Sequence, residues 1–155
     1  RCWSPGRNEC GGECAERRYG VRMPILEVHL VEGMHTANQQ AELLRTMSRR
    51  YAEVLESPLE RVRAYLTLHR PEHWAVGGVA GVAAPYFTAI VLADRPVEQR
   101  HRLLGALTDA LVDVLGVDRR SIRGRIIPVS PDDWGIGGVP ASSVRRDEIA
   151  ARARS

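Results

Sequence analysis

Between Leu26 and Leu30 the chain alternates, with Leu26, Val28 and Leu30 set against Glu27 and His29. A period of two sends the two sets to opposite faces of a strand, so this segment is expected to be a half-buried strand. Thr36 precedes Gln39 by three residues, the spacing of a capping box that opens a helix. Behind it Ala41, Leu44, Met47, Tyr51, Val54 and Leu55 form an apolar stripe at helical spacing. Ser57-Pro58 ends the helix, because the residue before a proline is pushed out of the helical region. Alternation returns at Val62, Ala64, Leu66 and Leu68, interleaved with Arg61, Arg63, Tyr65 and Thr67, and predicts a second strand. The order then repeats. Phe87 to Ala93 is a strand, Val97 to Leu115 a helix carrying Leu103, Leu104, Leu107, Leu111 and Val114, and Ile122 to Val129 a strand. Val144 to Ala153 reads as a short charged helix on the surface.

The repetition extends to individual residues. Arg63, Trp74 and Gly77-Gly78 recur as Arg123, Trp134 and Gly137-Gly138 at a shift of 60, while Pro24 and Pro85 are offset by 61, so one gap aligns the copies. Two matched strand–helix–strand units imply a duplicated domain: a first β-α-β repeat over 23–84, and a second over 85–155 that includes a hairpin and the tail. Within each unit the long crossover makes the strands parallel and the connection right-handed. The fold class is therefore α+β, with tandem β-α-β repeats forming a four-stranded sheet that carries both helices on one face. The other face, with Ile25, Val31, Tyr65, Ile90, Leu92 and Ile127, is left bare and too apolar for water, which predicts an obligate homo-oligomer.

Composition narrows the class. The 155 residues are 44% hydrophobic and 26% charged, as in a globular domain rather than a disordered chain. No apolar run reaches the roughly 18 residues of a membrane span, and the start lacks a secretory h-region. A net charge of +3, with both signs mixed along the chain, gives no basis for nucleic-acid binding. Every basic side chain is Arg, since Lys is absent. GC-rich coding accounts for that bias, so each Arg needs its own argument. Residues 1–22 show neither period and hold Cys2, Cys10 and Cys14 together with five Arg and three Glu. This stretch is a disordered extension, or sequence from upstream of a true start at Met23; without it the net charge falls to +1. Three cysteines at one Gly-rich end make neither a disulfide framework nor a zinc site.

The usual signatures of other chemistries fail. His69 and His73 are separated by Pro71, which forbids a helical metal pair. Asp132-Asp133 suits a turn, and the Gly pairs lack the strand–loop–helix setting of a phosphate cradle. No metal and no cofactor is expected.

The residues themselves resemble the tautomerase superfamily. Met23-Pro24-Ile25 followed by HLVEG is similar to the opening of a 4-oxalocrotonate tautomerase subunit, and WGIGGVPASSVRR from Trp134 to Arg146 to that family's closing hairpin. The resemblance runs from Pro24 to about Arg146, and the duplication makes it that of a fused member. It implies the tautomerase/MIF-like fold, a homotrimer of chains, a cytoplasmic location, a role in aromatic catabolism and a small carboxylate-bearing substrate. It also implies that an amino-terminal proline is the catalytic group. A proline with nothing before it is a secondary amine able to take a proton; free amino termini titrate near pH ~8, and burial beside cations lowers that. Should Arg22 and Met23 stay attached, the Pro24 nitrogen is a tertiary amide without a basic lone pair.

The family places an Arg shortly after the first strand. In the first copy that position is Met34 and in the second it is Arg95, while Pro85 is internal and never a free amine. One competent site per chain follows, pairing Pro24 with Arg95. Arg123 is expected to hold a substrate carboxylate bidentately, with Arg63 contributing to substrate binding or to an interface. Trp134 matches the aromatic wall of the pocket, and its duplicate Trp74 suits interface packing. The expected reaction is cofactor-independent tautomerisation of a 2-hydroxydienoate or 2-oxo acid. Same-scaffold dehalogenation or decarboxylation is the alternative, although Ile136 stands where dehalogenases carry a Glu. A non-catalytic oligomeric binding protein is the reading if Pro24 is not terminal.

Overall fold

The computed structural model describes residues 24–154. The expectations for residues 1–22, the three cysteines and Met23 lie outside the described residues. Strand β1 (Ile25–Val31) leads through a tight turn to helix α1 (Ala37–Val54). The Thr36 hydroxyl accepts from the Gln39 N–H at 3.1 Å while the Gln39 side chain accepts from the Thr36 N–H at 2.9 Å, so the capping box forms as its spacing predicts. Strand β2 (Arg63–His69) follows, then a two-residue-armed hairpin of β3 (Ala75–Val76) and β4 (Val79–Ala80). The second repeat has the same plan: β5 (Tyr86–Leu92), α2 (Val97–Leu115), β6 (Arg123–Val129), and the hairpin β7 (Gly135–Ile136) and β8 (Val139–Pro140). Gly116 ends α2 in the left-handed conformation at φ 67°, a C-terminal position that favours glycine.

The sheet order is β2-β1-β5-β6. β1 and β2 are parallel, β5 and β6 are parallel, and the two pairs join antiparallel between β1 and β5. The repeats are thus related by a pseudo-twofold through the β1–β5 seam, which places the start of β1 beside the end of β5.

Leu26, Val28, Leu30, Phe87, Ala89 and Val91 point to the helices and are buried against Leu43, Met47, Leu103, Leu107 and Leu111. Each of these side chains apart from Ala89 contributes about 1.5–3 kcal/mol on burial. Tyr51 is also fully buried, and its hydroxyl donates to the Ile90 carbonyl at 2.6 Å. The repeats fill the core differently. Leu26 lies beside Ala64 in the first, whereas Phe87 lies beside Gly124 in the second, where any Cβ would overlap the Phe87 ring.

Three expectations change. The stripe of α1 is rotated: Met47, Tyr51 and Leu55 are core, Leu44 and Val54 are half-buried and Ala41 is exposed, while Leu43 and Thr46 face inward instead. The sheet face away from the helices is not simply apolar. It carries a polar network on β1 and β2, described below, and Val31 and Leu92 on it are already buried within the chain. The last segment is two helices, α3 (Ala141–Val144) and α4 (Arg146–Ala153), broken at the buried Arg145. α4 has no buried residue, as expected of a surface helix, and ion pairs bind it to both repeats. No helix among the described residues is long and apolar enough to cross a membrane.

Candidate active site

Where β1 begins, the Pro24 carbonyl accepts from the Arg63 N–H at 2.8 Å, and Pro24 is buried. Because β1 runs antiparallel to β5, with Ile25 opposite Ile90, this is also where β5 ends and the loop to Arg95 starts. The Arg95 N–H donates to the Leu92 carbonyl at 3.1 Å, and its guanidinium donates to the Leu55 carbonyl, beyond the end of α1, at 2.6 Å. Burial, then the neighbouring Arg152 charge, pushes the Arg95 guanidinium below its ordinary pKa. A cation held in this way gains strongly from a carboxylate.

The second hairpin closes over the same end. Val129 pairs with Leu92, so the chain leaving β6 emerges beside Arg95. Gly137 (φ 57°) and Gly138 (φ 83°) both take positive φ, as the two-residue turn between β7 and β8 requires. The Trp134 carbonyl then accepts from the Ala141 N–H at 2.8 Å, and Trp134 and Ile136 pack with Leu92 and Ala141. Pro24, Arg63, Arg95, Trp134 and Ile136 therefore gather at one end of the sheet. Arg95 also lines a cavity of about 370 Å³ with the turn 56–58, Arg61, Glu148 and Arg152; Pro24, Arg63, Trp134 and Ile136 are not among its lining residues.

Arg123 is elsewhere. Its N–H donates to the Pro85 carbonyl at 3.1 Å, and it pairs with Tyr86 at the start of β5. The seven residues of β5 span about 20 Å, so one chain does not bring Arg123 to Pro24. Its guanidinium donates to the carbonyls of Arg120 at 2.8 Å and Ile122 at 3.0 Å. At that end Pro85 is acylated by Ala84, and Met34, exposed, stands where the other end has Arg95.

The Pro85 end holds a cluster that the sequence reading missed. His29 Nδ1 and His69 Nε2 share a hydrogen bond of 2.8 Å, Glu27 lies 3.3 Å from His29 Nε2, and the Thr67 hydroxyl donates to Glu27 at 2.9 Å. The Tyr65 hydroxyl also bonds Glu27, which raises the Tyr65 pKa. The Trp74 ring packs on His69 at 4.9 Å and on His29 at 6.3 Å, so the duplicate Trp has a partner within its own chain. The signal was available: Glu27 and His29 share one parity of β1, and Thr67 and His69 one parity of β2.

Fold and site together define a duplicated β-α-β protein with an arginine-lined cavity at one end of its sheet. The model of the family described as tautomerase enzyme matches residues 85–143. A 2-hydroxymuconate tautomerase from Pseudomonas sp. (strain CF600) is 39% identical over 56 residues, covering 36% of this chain and 87% of the relative. A native fused 4-OT crystal structure superimposes with a TM-score of 0.75 at 31% identity, covering 79% of this chain and 100% of that one. A fused 4-OT described as a wild type symmetric trimer gives 0.74 at 30% identity, over 78% and 98% of the two chains. The chain belongs to the tautomerase superfamily as a fused member, and it is an isomerase.

Proposed function

We propose that the chain, once it begins at Pro24, is a tautomerase of 2-hydroxydienoate or 2-oxo acid substrates. The Pro24 nitrogen takes the proton of the 2-hydroxyl group. The oxygen's electrons form the C2 carbonyl, and the displaced pair moves along the conjugated system to a distal carbon. That carbon then takes the proton back from the prolinium, so the cycle closes with no net change in the enzyme. Arg95 holds a carboxylate and stabilises the negative charge that develops on the dienolate. Burial at the strand start, and a guanidinium at the same end of the sheet, favour the neutral amine, as a general base at neutral pH requires. Trp134 and Ile136 exclude water from this end.

The observation that carries this reading is the unequal pair of ends: Arg95 follows the strand that ends beside the start of β1, and Met34 follows the strand that ends beside the start of β5. Arg123 serves the same reaction only from another copy of the chain. That agrees with a homotrimer, and a symmetric trimer is what the fused 4-OT above is described as. Arg63, hydrogen-bonded through its backbone to Pro24, is a further substrate-binding residue. The test is loss of the ultraviolet band of 2-hydroxymuconate on mixing with a polypeptide that starts at Pro24. Rapid loss is the expected result; a rate equal to buffer removes the proposal.

A further inference from the structure

Helix α4 lies beyond residues 85–143, the span that the family model matches. The first repeat has no counterpart to it, for after β4 the chain runs through 81–84 straight into Pro85. An eight-residue helix is marginal in water by itself, and α4 has no buried residue to dock it. Two ion pairs hold it instead. Glu148 and Arg152 stand one turn apart on one face of the helix. Arg152 Nε donates to Asp94 Oδ2 at 2.5 Å, 58 residues away, and both side chains are about four-fifths buried. Glu148 accepts from the Arg61 guanidinium at 3.3 Å, 87 residues away.

Both partners belong to segments that support the site. Asp94 directly precedes Arg95 in the loop between β5 and α2. Arg61 closes the single helical turn that leads into β2, where the Arg63 N–H holds the Pro24 carbonyl at 2.8 Å. One face of α4 therefore ties the loop that carries Arg95 to the turn that braces the start of β1. The Asp94 pair is the stiffer of the two. Asp94 Oδ1 and Arg152 Nη2 are buried without hydrogen-bond partners, so each side chain depends on its one bond to the other. Removing either leaves the other's charge stranded out of water, a cost that the loop relieves only by moving. Among the described residues the Arg95 guanidinium is hydrogen-bonded to the Leu55 carbonyl alone, so movement of the loop moves the cation.

We infer that Arg152 is a positioning residue for the reaction: through Asp94 it fixes Arg95 relative to Pro24, without touching the substrate. Glu148, through Arg61, steadies the Pro24 side in the same way. This rests on the reading of Pro24 as the base and of Arg95 as the holder of a carboxylate. The clasp belongs to α4, an element outside the matched repeat, and it is present only at the end where an amine can exist.

The test is a double-mutant cycle in the polypeptide that starts at Pro24, assayed with 2-hydroxymuconate. Arg152→Gln is expected to lower kcat/KM about tenfold, since small misplacements of a positioned group are costly. Arg152→Lys keeps a cation opposite Asp94 and recovers most of that loss. Glu148→Gln breaks the more exposed pair and costs at most about fivefold. In an Arg95→Met background Arg152→Gln costs nothing further, because the group it positions is gone. A purely structural role gives the same fractional loss in both backgrounds, and so does direct contact with the substrate; either result overturns the inference. An unchanged kcat/KM in Arg152→Gln overturns it too. Should Arg152→Gln fail to fold, Asp94→Asn removes the charge from the other partner and decides the same cycle. Full activity in Pro24→Ala overturns the underlying reading instead, so the two failures are distinguishable.

Discussion

Pro24 and Pro85 open equivalent strands, and each accepts a backbone hydrogen bond from an equivalent arginine, Arg63 or Arg123. What surrounds them has diverged. The Pro24 end has Arg95, Trp134 and a cavity walled by α4. The Pro85 end has Met34 and, on the open sheet face, the Glu27–His29–His69 network, whose counterparts in the second repeat are Thr88, Ile90 and Val129. Duplication preserved what both halves need, the alternation and the helix stripes that build one core. The chemistry concentrated where an amine can exist.

The sharpest way to break this comparison is to exchange the prolines. Pro24→Ala is expected to lower kcat/KM by roughly 10²–10⁴, the usual worth of a general base, while Pro85→Ala retains most activity. Steady-state assays of both variants decide it, and equal effects erase the distinction between the ends. Arg95→Met gives the active end the residue of the silent one. Loss of a charge-assisted contact there is expected to cost about 1.5–3 kcal/mol, or more than tenfold in kcat/KM. Met34→Arg restores nothing in that variant, because its end has no amine.

The core offers a comparison of stability. Gly124→Ala forces a methyl into the Phe87 ring and is expected to cost about 1–3 kcal/mol in urea unfolding. Ala64→Gly, its counterpart beside Leu26, costs only about 0.5–1 kcal/mol through backbone entropy. The smallest effect is at the helix starts. Thr36→Ala removes a working cap and loses about 1 kcal/mol, whereas α2 begins at Pro96 with no side-chain cap to lose.

Much of this architecture was legible because it is periodic. Alternation located the two long strands of the first repeat and the repetition those of the second, Thr36 and Gln39 marked the start of α1, and the repeated Arg, Trp and Gly pairs exposed the duplication. The pairing of Pro24 with Arg95 came from the resemblance alone; the antiparallel join of β1 and β5, which puts both at one end of the sheet, was not read from the sequence. The features that were missed depend on long-range placement. Leu43 rather than Ala41 faces the core because α1 packs on α2 as well as on the sheet. The pairing of His29 with His69 needs the register of β1 on β2, in which His29 is opposite Thr67 and Val31 opposite His69. The docking of α4 through Arg152 and Glu148 joins residues whose local sequence shows only mixed charge.

The central claim is that the Pro24 nitrogen is a free base in an arginine-lined cleft. With ¹⁵N-proline incorporated, only an amino-terminal proline has a nitrogen that titrates, and in a chain that starts at Pro24 the other seven prolines are silent. The account predicts one titrating nitrogen in the active protein, below the ordinary range of an amino terminus, coinciding with the acid limb of kcat/KM. Activity falls as pH drops through that value, because the protonated amine accepts nothing. An active enzyme in which no proline nitrogen titrates would contradict it.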